Sequence, residues 1–120
     1  MTNKETMLYF YDRVFNNWDL SEIDTYVKEN YKQHSAGVED GREGFKKFIK
    51  EFVAKQPHTE MIKVLEDGDM VCMYFKCTFG NGVVAKVFDM FRLEDGMLAE
   101  HWDAAIRVDD MPTAHNNGHF

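Results

Sequence analysis

A chain of 120 residues with 44% hydrophobic and 14% aromatic side chains has the apolar content of one folded domain, able to bury roughly two thirds of its extended-chain surface, and is too apolar for a disordered segment. Its formal charge of −7 argues against a nucleic-acid groove, because the lysines are scattered among Glu and Asp instead of forming a basic track. No apolar run is long enough to span a membrane, and residues 1–5 lack the apolar core of a leader, so no membrane contact is expected and a cytoplasmic location is.

Thr2 or Asn3 is placed to cap a first helix running to about Asn17, with Met7, Tyr11, Val14, Phe15 and Trp18 on its apolar stripe and Leu8 beside it. Asp19 with Glu22, or Ser21 with Asp24, can cap a short second helix that reaches about Lys28 and ends before Tyr31. A loop over residues 33–40 follows. Asp40 and Glu43 have capping-box spacing, and Phe45, Phe48, Ile49, Phe52 and Val53 recur at helical intervals until Gln56-Pro57 stops the third helix. Strands are expected at about residues 58–66, 70–79, 83–93 and 97–108, divided by the turn signals Asp67-Gly68-Asp69, Gly80-Asn81-Gly82 and Glu94-Asp95-Gly96. Cys72 and Cys77 have opposite parity in one strand, cannot bridge each other, and are expected to be reduced. The plan is α+β: three N-terminal helices on a curved, mainly antiparallel sheet of four or more strands, wrapped into a cone-shaped half-barrel. Residues 1–109 form that single domain, and the aperiodic residues 110–120, with Pro112, Asn116, Asn117 and Gly118, read as a mobile tail.

The densest chemistry lies in residues 89–103, D-M-F-R-L-E-D-G-M-L-A-E-H-W-D, where Asp-Gly between alternating runs predicts a hairpin. A two-residue loop would pair Glu94 with Met97 and set Asp89 opposite Trp102. A three-residue loop with a Gly bulge would pair Leu93 with Met97 and set Asp89 opposite His101. We favour the second, which gathers Asp89, Phe91, His101 and Asp103 on one face and Phe88, Met90 and Trp102 on the other. Arg92 then reads as an outer-face ion-pair residue. An aspartate inside the apolar run 87–93 needs either a donor such as His101 or a wet pocket.

The run from Phe91 to Asp103, F-R-x-E-D-G-x-x-x-E-H-W-D, preceded by Asp89, resembles the C-terminal signature of the SnoaL-like polyketide cyclase group of the nuclear transport factor 2-like superfamily. Tyr31-Lys32-Gln33-His34, followed by Asp40-Gly41-Arg42-Glu43-Gly44-Phe45, resembles the segment between that group's second and third helices. Element order agrees from Lys4 to Val108. Ser35-Ala36 stands where many members have Asn-Pro, and Ile106-Arg107 where many have a Gln, which implies a pocket of different size and polarity. The resemblance also implies the cone-shaped fold, no cofactor, and a hydrophobic, carbonyl-bearing small molecule as ligand.

The chemistry so implied is general acid/base catalysis of enolisation, isomerisation or aldol-type ring closure, since a carboxylate desolvated in an apolar pocket gains basicity and can take a proton beside a carbonyl. Asp89 or Asp103 would be the base, His101 would orient it or donate to the oxyanion, and His34 or Tyr31 would supply a second hydrogen bond. Tyr11, Phe48, Phe52 and Phe91 complete the expected ligand-binding set. The alternative is a non-catalytic binding module or dimeric scaffold of the same fold. In either case Phe88, Met90, Trp102 and Ala104 form an outer apolar patch that predicts a homodimer through the sheet face. No metal is expected: His115 and His119 have helical ligand spacing across residues that form helix poorly, and the spacing of Asp89, His101 and His34 demands no triad.

Overall fold

Residues 1–120 are described by a computed structural model. The first helix, α1 (Asn3–Tyr11), starts at Thr2, whose hydroxyl accepts from the Glu5 N–H while the Glu5 carboxylate accepts from the Thr2 N–H, so two donors of the first turn are satisfied reciprocally. The rod continues as a π-turn (Asp12–Asn16) and buries Met7, Phe10, Tyr11, Val14 and Phe15. Trp18 leaves the expected stripe because the wider turn rotates it off the core face. It sits at φ +57°, is 43% exposed, and donates its indole N–H to the Pro57 carbonyl at 2.9 Å.

The second helix, α2 (Ile23–Tyr26), is a single turn. Where the sequence suggested more helix and then a loop, the chain forms strand β1 (Val27–Gln33), which runs parallel to the last strand. Lys28, Glu29, Asn30 and Lys32 disguise it, because strand propensity reflects packing on a half-buried surface and β1 is an edge strand. In α3 (Gly41–Val53) the buried residues are Gly44, Phe45 and Ile49. Asp40 is its N-cap residue, yet the Asp40 carboxylate accepts from the Gln33 N–H at 2.7 Å, so the expected capping box does not form.

Four antiparallel strands follow: β2 (His58–Asp67), β3 (Met70–Thr78), β4 (Val84–Glu94) and β5 (Met97–Arg107). The sheet order is β1-β5-β4-β3-β2. Its inner face carries Val71, Met73, Phe75, Cys77, Phe91 and Leu93 into one core with α1 and α3. Strict alternation of burial along β3 is the period-two signature of a sheet with one covered face.

The last hairpin starts in the first register considered above, not the favoured one, and leaves it at a bulge. Asp95 (φ +51°) and Gly96 (φ +76°) make a two-residue turn that pairs Glu94 with Met97, and an extra residue is then absorbed in β5, since Leu93 pairs with Leu98 but Arg92 with Glu100. Ala99 is the bulged residue. Asp89 therefore faces Asp103, and His101 faces Phe91. The displacement from the favoured register is two residues along β5, so side-chain parity is conserved and the grouping by face stands. After a short 3-10 turn (Val108–Asp110), the tail returns over the outer face: Tyr74 Oη donates to the His119 carbonyl at 3.5 Å, and Lys76 Nζ lies 5.7 Å from the Phe120 ring centre. No helix is long and apolar enough to cross a membrane.

Candidate functional site

Curling of the sheet around α1 and α3 leaves a cavity of about 140 Å³. Seven phenylalanines form much of its wall: Phe15 from the π-turn, Phe45, Phe48 and Phe52 from α3, Phe75 and Phe91 from the sheet, and Phe79 just beyond β3. The polar groups gather at one end. Tyr11, Tyr31, Gln33, Ser35, Asp89, His101 and Asp103 all line it there.

Period-two alternation puts Asp89 of β4 and His101 and Asp103 of β5 on this inner face. Asp89 is 6% exposed and is fully engaged: Tyr11 Oη donates to Oδ2, and His101 Nε2 lies 3.0 Å from Oδ1. On the far side of the imidazole, Nδ1 is 2.7 Å from Gln33 Oε1, which also accepts from the Ser35 N–H at 2.9 Å. That second bond identifies the Gln33 atom as an acceptor, so His101 Nδ1 carries a hydrogen and donates. The Nε2···Oδ1 contact then joins Asp89, His101 and Gln33 in one continuous hydrogen-bonded chain.

Asp103 is the freer acid. Ser35 Oγ donates to its Oδ2 at 2.9 Å, while Oδ1 has no partner. Asp103 is exposed where Asp89 is buried, although the two face each other across the strands. Burial acts on the phenols. It pushes Tyr11 well above the ordinary 10.0, with the Asp89 charge adding to the rise. Tyr31 is raised for the same two reasons, in the same order. Gln33 approaches the Tyr31 hydroxyl closely enough to moderate that rise, but the hydroxyl, in a residue only 1% exposed, makes no hydrogen bond of acceptable geometry. An unpaired buried hydroxyl at the polar end of a cavity is a donor awaiting an acceptor.

The other expectations divide. Tyr11, Phe48, Phe52 and Phe91 line the cavity. His34 does not: alternation along β1 turns it outward, where it stacks on Trp102 (centroids 5.0 Å apart) and meets Glu100 Oε2 at 2.7 Å. Its bond is the first cause holding the Glu100 carboxyl below the usual carboxylate range. Arg92 pairs on the outer face with Glu94 and with Glu100 at 3.1 Å. Gln33 and Ser35 were missed, and the signal that could have found them is the alternation of Tyr31, Gln33 and Ser35 from β1 onward. Cys77 lines the cavity, but burial lifts its thiol to about 11, a poor setting for a nucleophile.

Asp89, His101 and Asp103 also offer one ligand-type atom each within 4.8 Å of one another. A cation there would have to displace the His101–Asp89 hydrogen bond, while Gln33, Tyr11 and Ser35 could continue to orient the three side chains. The arrangement as it stands can hold and move a proton in an apolar setting: one free carboxylate, one buried acid–imidazole pair, and one unpaired phenol.

Solved structures share the architecture. TsrD from Streptomyces laurentii is 21% identical with a TM-score of 0.71, covering 85% of this chain and 86% of its own. A protein of Acidithiobacillus ferrooxidans reaches 0.77 at 18% identity over 88% of each chain. A SnoaL-like polyketide cyclase from Agrobacterium tumefaciens reaches 0.73 at 17% identity, covering 88% of this chain and 92% of its own. These likenesses show the cone-shaped fold of nuclear transport factor 2-like proteins. Among curated proteins no relative matches. The family description "SnoaL-like polyketide cyclase" matches residues 5–113, nearly the whole of the folded domain, and the chain belongs to that family.

Proposed function

We propose that the cavity binds a hydrophobic, carbonyl-bearing small molecule and that Asp103 removes a proton adjacent to the carbonyl. The observation that carries this is the unpartnered Tyr31 hydroxyl set in one apolar cavity with an acid whose Oδ1 is free. In this reading the carbonyl oxygen accepts from Tyr31 Oη as negative charge develops on it, an interaction that strengthens toward the enolate and so lowers the barrier. In this reading the hydrogen between Asp89 and His101 is delivered to the enolate at a different atom, giving isomerisation, or to the alkoxide formed when the enolate attacks an internal carbonyl, giving ring closure, and the proton taken by Asp103 passes back to the pair to complete the cycle.

Solution NMR of the α-protons of acetophenone in deuterium oxide tests the reaction class. Catalysed exchange by the wild-type protein, lost in Asp103→Asn, supports it. Saturable binding without exchange by any hydrophobic ketone would leave a binding module. The cavity volume favours that rival only in part: about 140 Å³ matches a single aromatic ring and falls below the roughly 300 Å³ at which pockets for larger ligands begin.

We also propose that two copies pair through the outer sheet face, where Phe88 is 46% and Met90 36% exposed beside Trp102. Tyr74 stacks on Phe88 at 4.4 Å and is the residue that the tail touches, so pairing would have to share or displace the tail. Sedimentation velocity with and without residues 111–120 reads both events.

A further inference from the structure

The cavity does not end at its aromatic wall. Phe79, Ala85 and Ala105 line both it and a wider hollow of about 630 Å³, whose rim includes Lys55, Gln56 and Arg107. Arg107 closes β5 on the same inward parity as His101, Asp103 and Ala105, and its cross-strand neighbour is Ala85. From Asp103 to Arg107 the strand advances about 13 Å at roughly 3.3 Å per residue. One side of the cone therefore runs from the acid cluster, past apolar side chains, to a cation.

Arg107 is the one arginine of the four without an ion pair. Arg13 pairs with Asp19 and Glu22, Arg42 with Asp24, and Arg92 with Glu94 and Glu100. Arg107 forms no ion pair, nor does Lys55, and neither Asp109 nor Asp110 in the turn just beyond reaches them, although the protein carries a net −7. The rim is also built and held. Gln56 adopts φ +54°, a conformation that costs a non-glycine residue energy, and the Gly80 N–H donates to the Lys55 carbonyl at 3.0 Å. A Cβ at Gly80 would come within 3.0 Å of Gln56 Cβ, so the segment carrying Lys55 packs closely on the turn between β3 and β4.

We propose that this rim is a carboxylate subsite and that the ligand is amphipathic: a carbonyl at the Asp103–Tyr31 end, an apolar body against the phenylalanines, and a carboxylate at Arg107 and Lys55. Planar guanidinium paired with carboxylate in two parallel hydrogen bonds supplies orientation as well as attraction, and fixes which carbon adjacent to the carbonyl meets Asp103. The inference rests on the cavity being the ligand site and adds to it the class of ligand.

The test is calorimetric titration of the intact protein with ω-benzoylalkanoates of increasing chain length and with their methyl esters, at low and moderate salt. Wild type should bind the best-fitting acid about fivefold to tenfold more tightly than its ester, an advantage that shrinks with salt. The advantage should vanish in Arg107→Gln and in Lys55→Gln/Arg107→Gln, both changes of exposed side chains, with ester affinity unchanged. Equal binding of acid and ester by wild type, or an advantage that survives the double substitution, overturns the subsite while leaving the cavity reading intact. Binding of neither compound overturns both. Binding with the expected preference but without α-proton exchange upholds the subsite and refutes the catalytic role.

Discussion

Replacing Tyr31 with phenylalanine should raise stability and lower activity at once. The hydroxyl is buried without a partner in a residue 1% exposed, and a buried polar group left unpaired costs about 1–3 kcal/mol, which its deletion returns. The ring stays in place, packed edge-on against Phe45 at 5.9 Å, so no cavity term offsets the gain. We expect the lower end, about 1 kcal/mol. For a domain of this length an unfolding entropy of roughly 2.1 cal/mol/K per residue converts that to a rise of about 4 °C in the melting temperature. Differential scanning calorimetry of ligand-free protein measures it. In the exchange assay the same variant should lose about 100-fold in rate, as expected for one oxyanion donor. A fall in melting temperature of several degrees would refute the reasoning, because it would mean that Tyr31 is hydrogen-bonded in the folded protein, with Gln33 the nearest candidate.

Asp103→Asn should slow exchange by about 10²- to 10⁴-fold with little change in melting temperature, since the residue is exposed. Asp89→Ala should destabilise by about 2–4 kcal/mol, because Tyr11 Oη and His101 Nε2 both lose their partner, whereas Asp89→Asn can serve both and should fold; exchange abolished only in the Asp89 variants would assign the base to Asp89. Alkaline stability has a definite sign. The folded values of Tyr11 and Tyr31 lie above the ordinary 10.0, so their contribution is complete below pH 10 and is lost as pH rises toward the folded values, where the unfolded chain has given up protons that the folded one keeps. Melting temperatures measured upward from about pH 9 should fall beyond pH 10, less steeply in Tyr31→Phe; identical slopes would contradict the burial of that phenol. Phe88→Glu should abolish any self-association seen by sedimentation, and an unchanged sedimentation coefficient of a wild-type dimer would exclude the outer face as its seam.

Local signals in the chain were sufficient for most of the architecture. A cap at Thr2 or Asn3, the phenylalanine stripe of α3, and three glycine turns between alternating runs all act over a few residues, and the structure forms each element they indicate. That His101 and Asp103 share a face is a property of one strand alone and was legible for the same reason; that Asp89 joins them followed from the favoured register, whose error of two residues leaves parity untouched. What depended on distant partners was hidden. β1 is a strand only because β5 lies beside it, so Lys28 to Lys32 looked like helix and loop, and Gln33, Ser35 and the outward turn of His34 were misjudged with it. With the two-residue turn, the Ala99 bulge sets Asp89 against Asp103 instead of Trp102, and no turn motif reports it. Above all, Tyr11 and Asp89 meet from opposite ends of the chain, while Tyr31 is left without a partner. Which buried groups are satisfied and which is not is a sum over neighbours brought together by packing, and only the folded chain carries it.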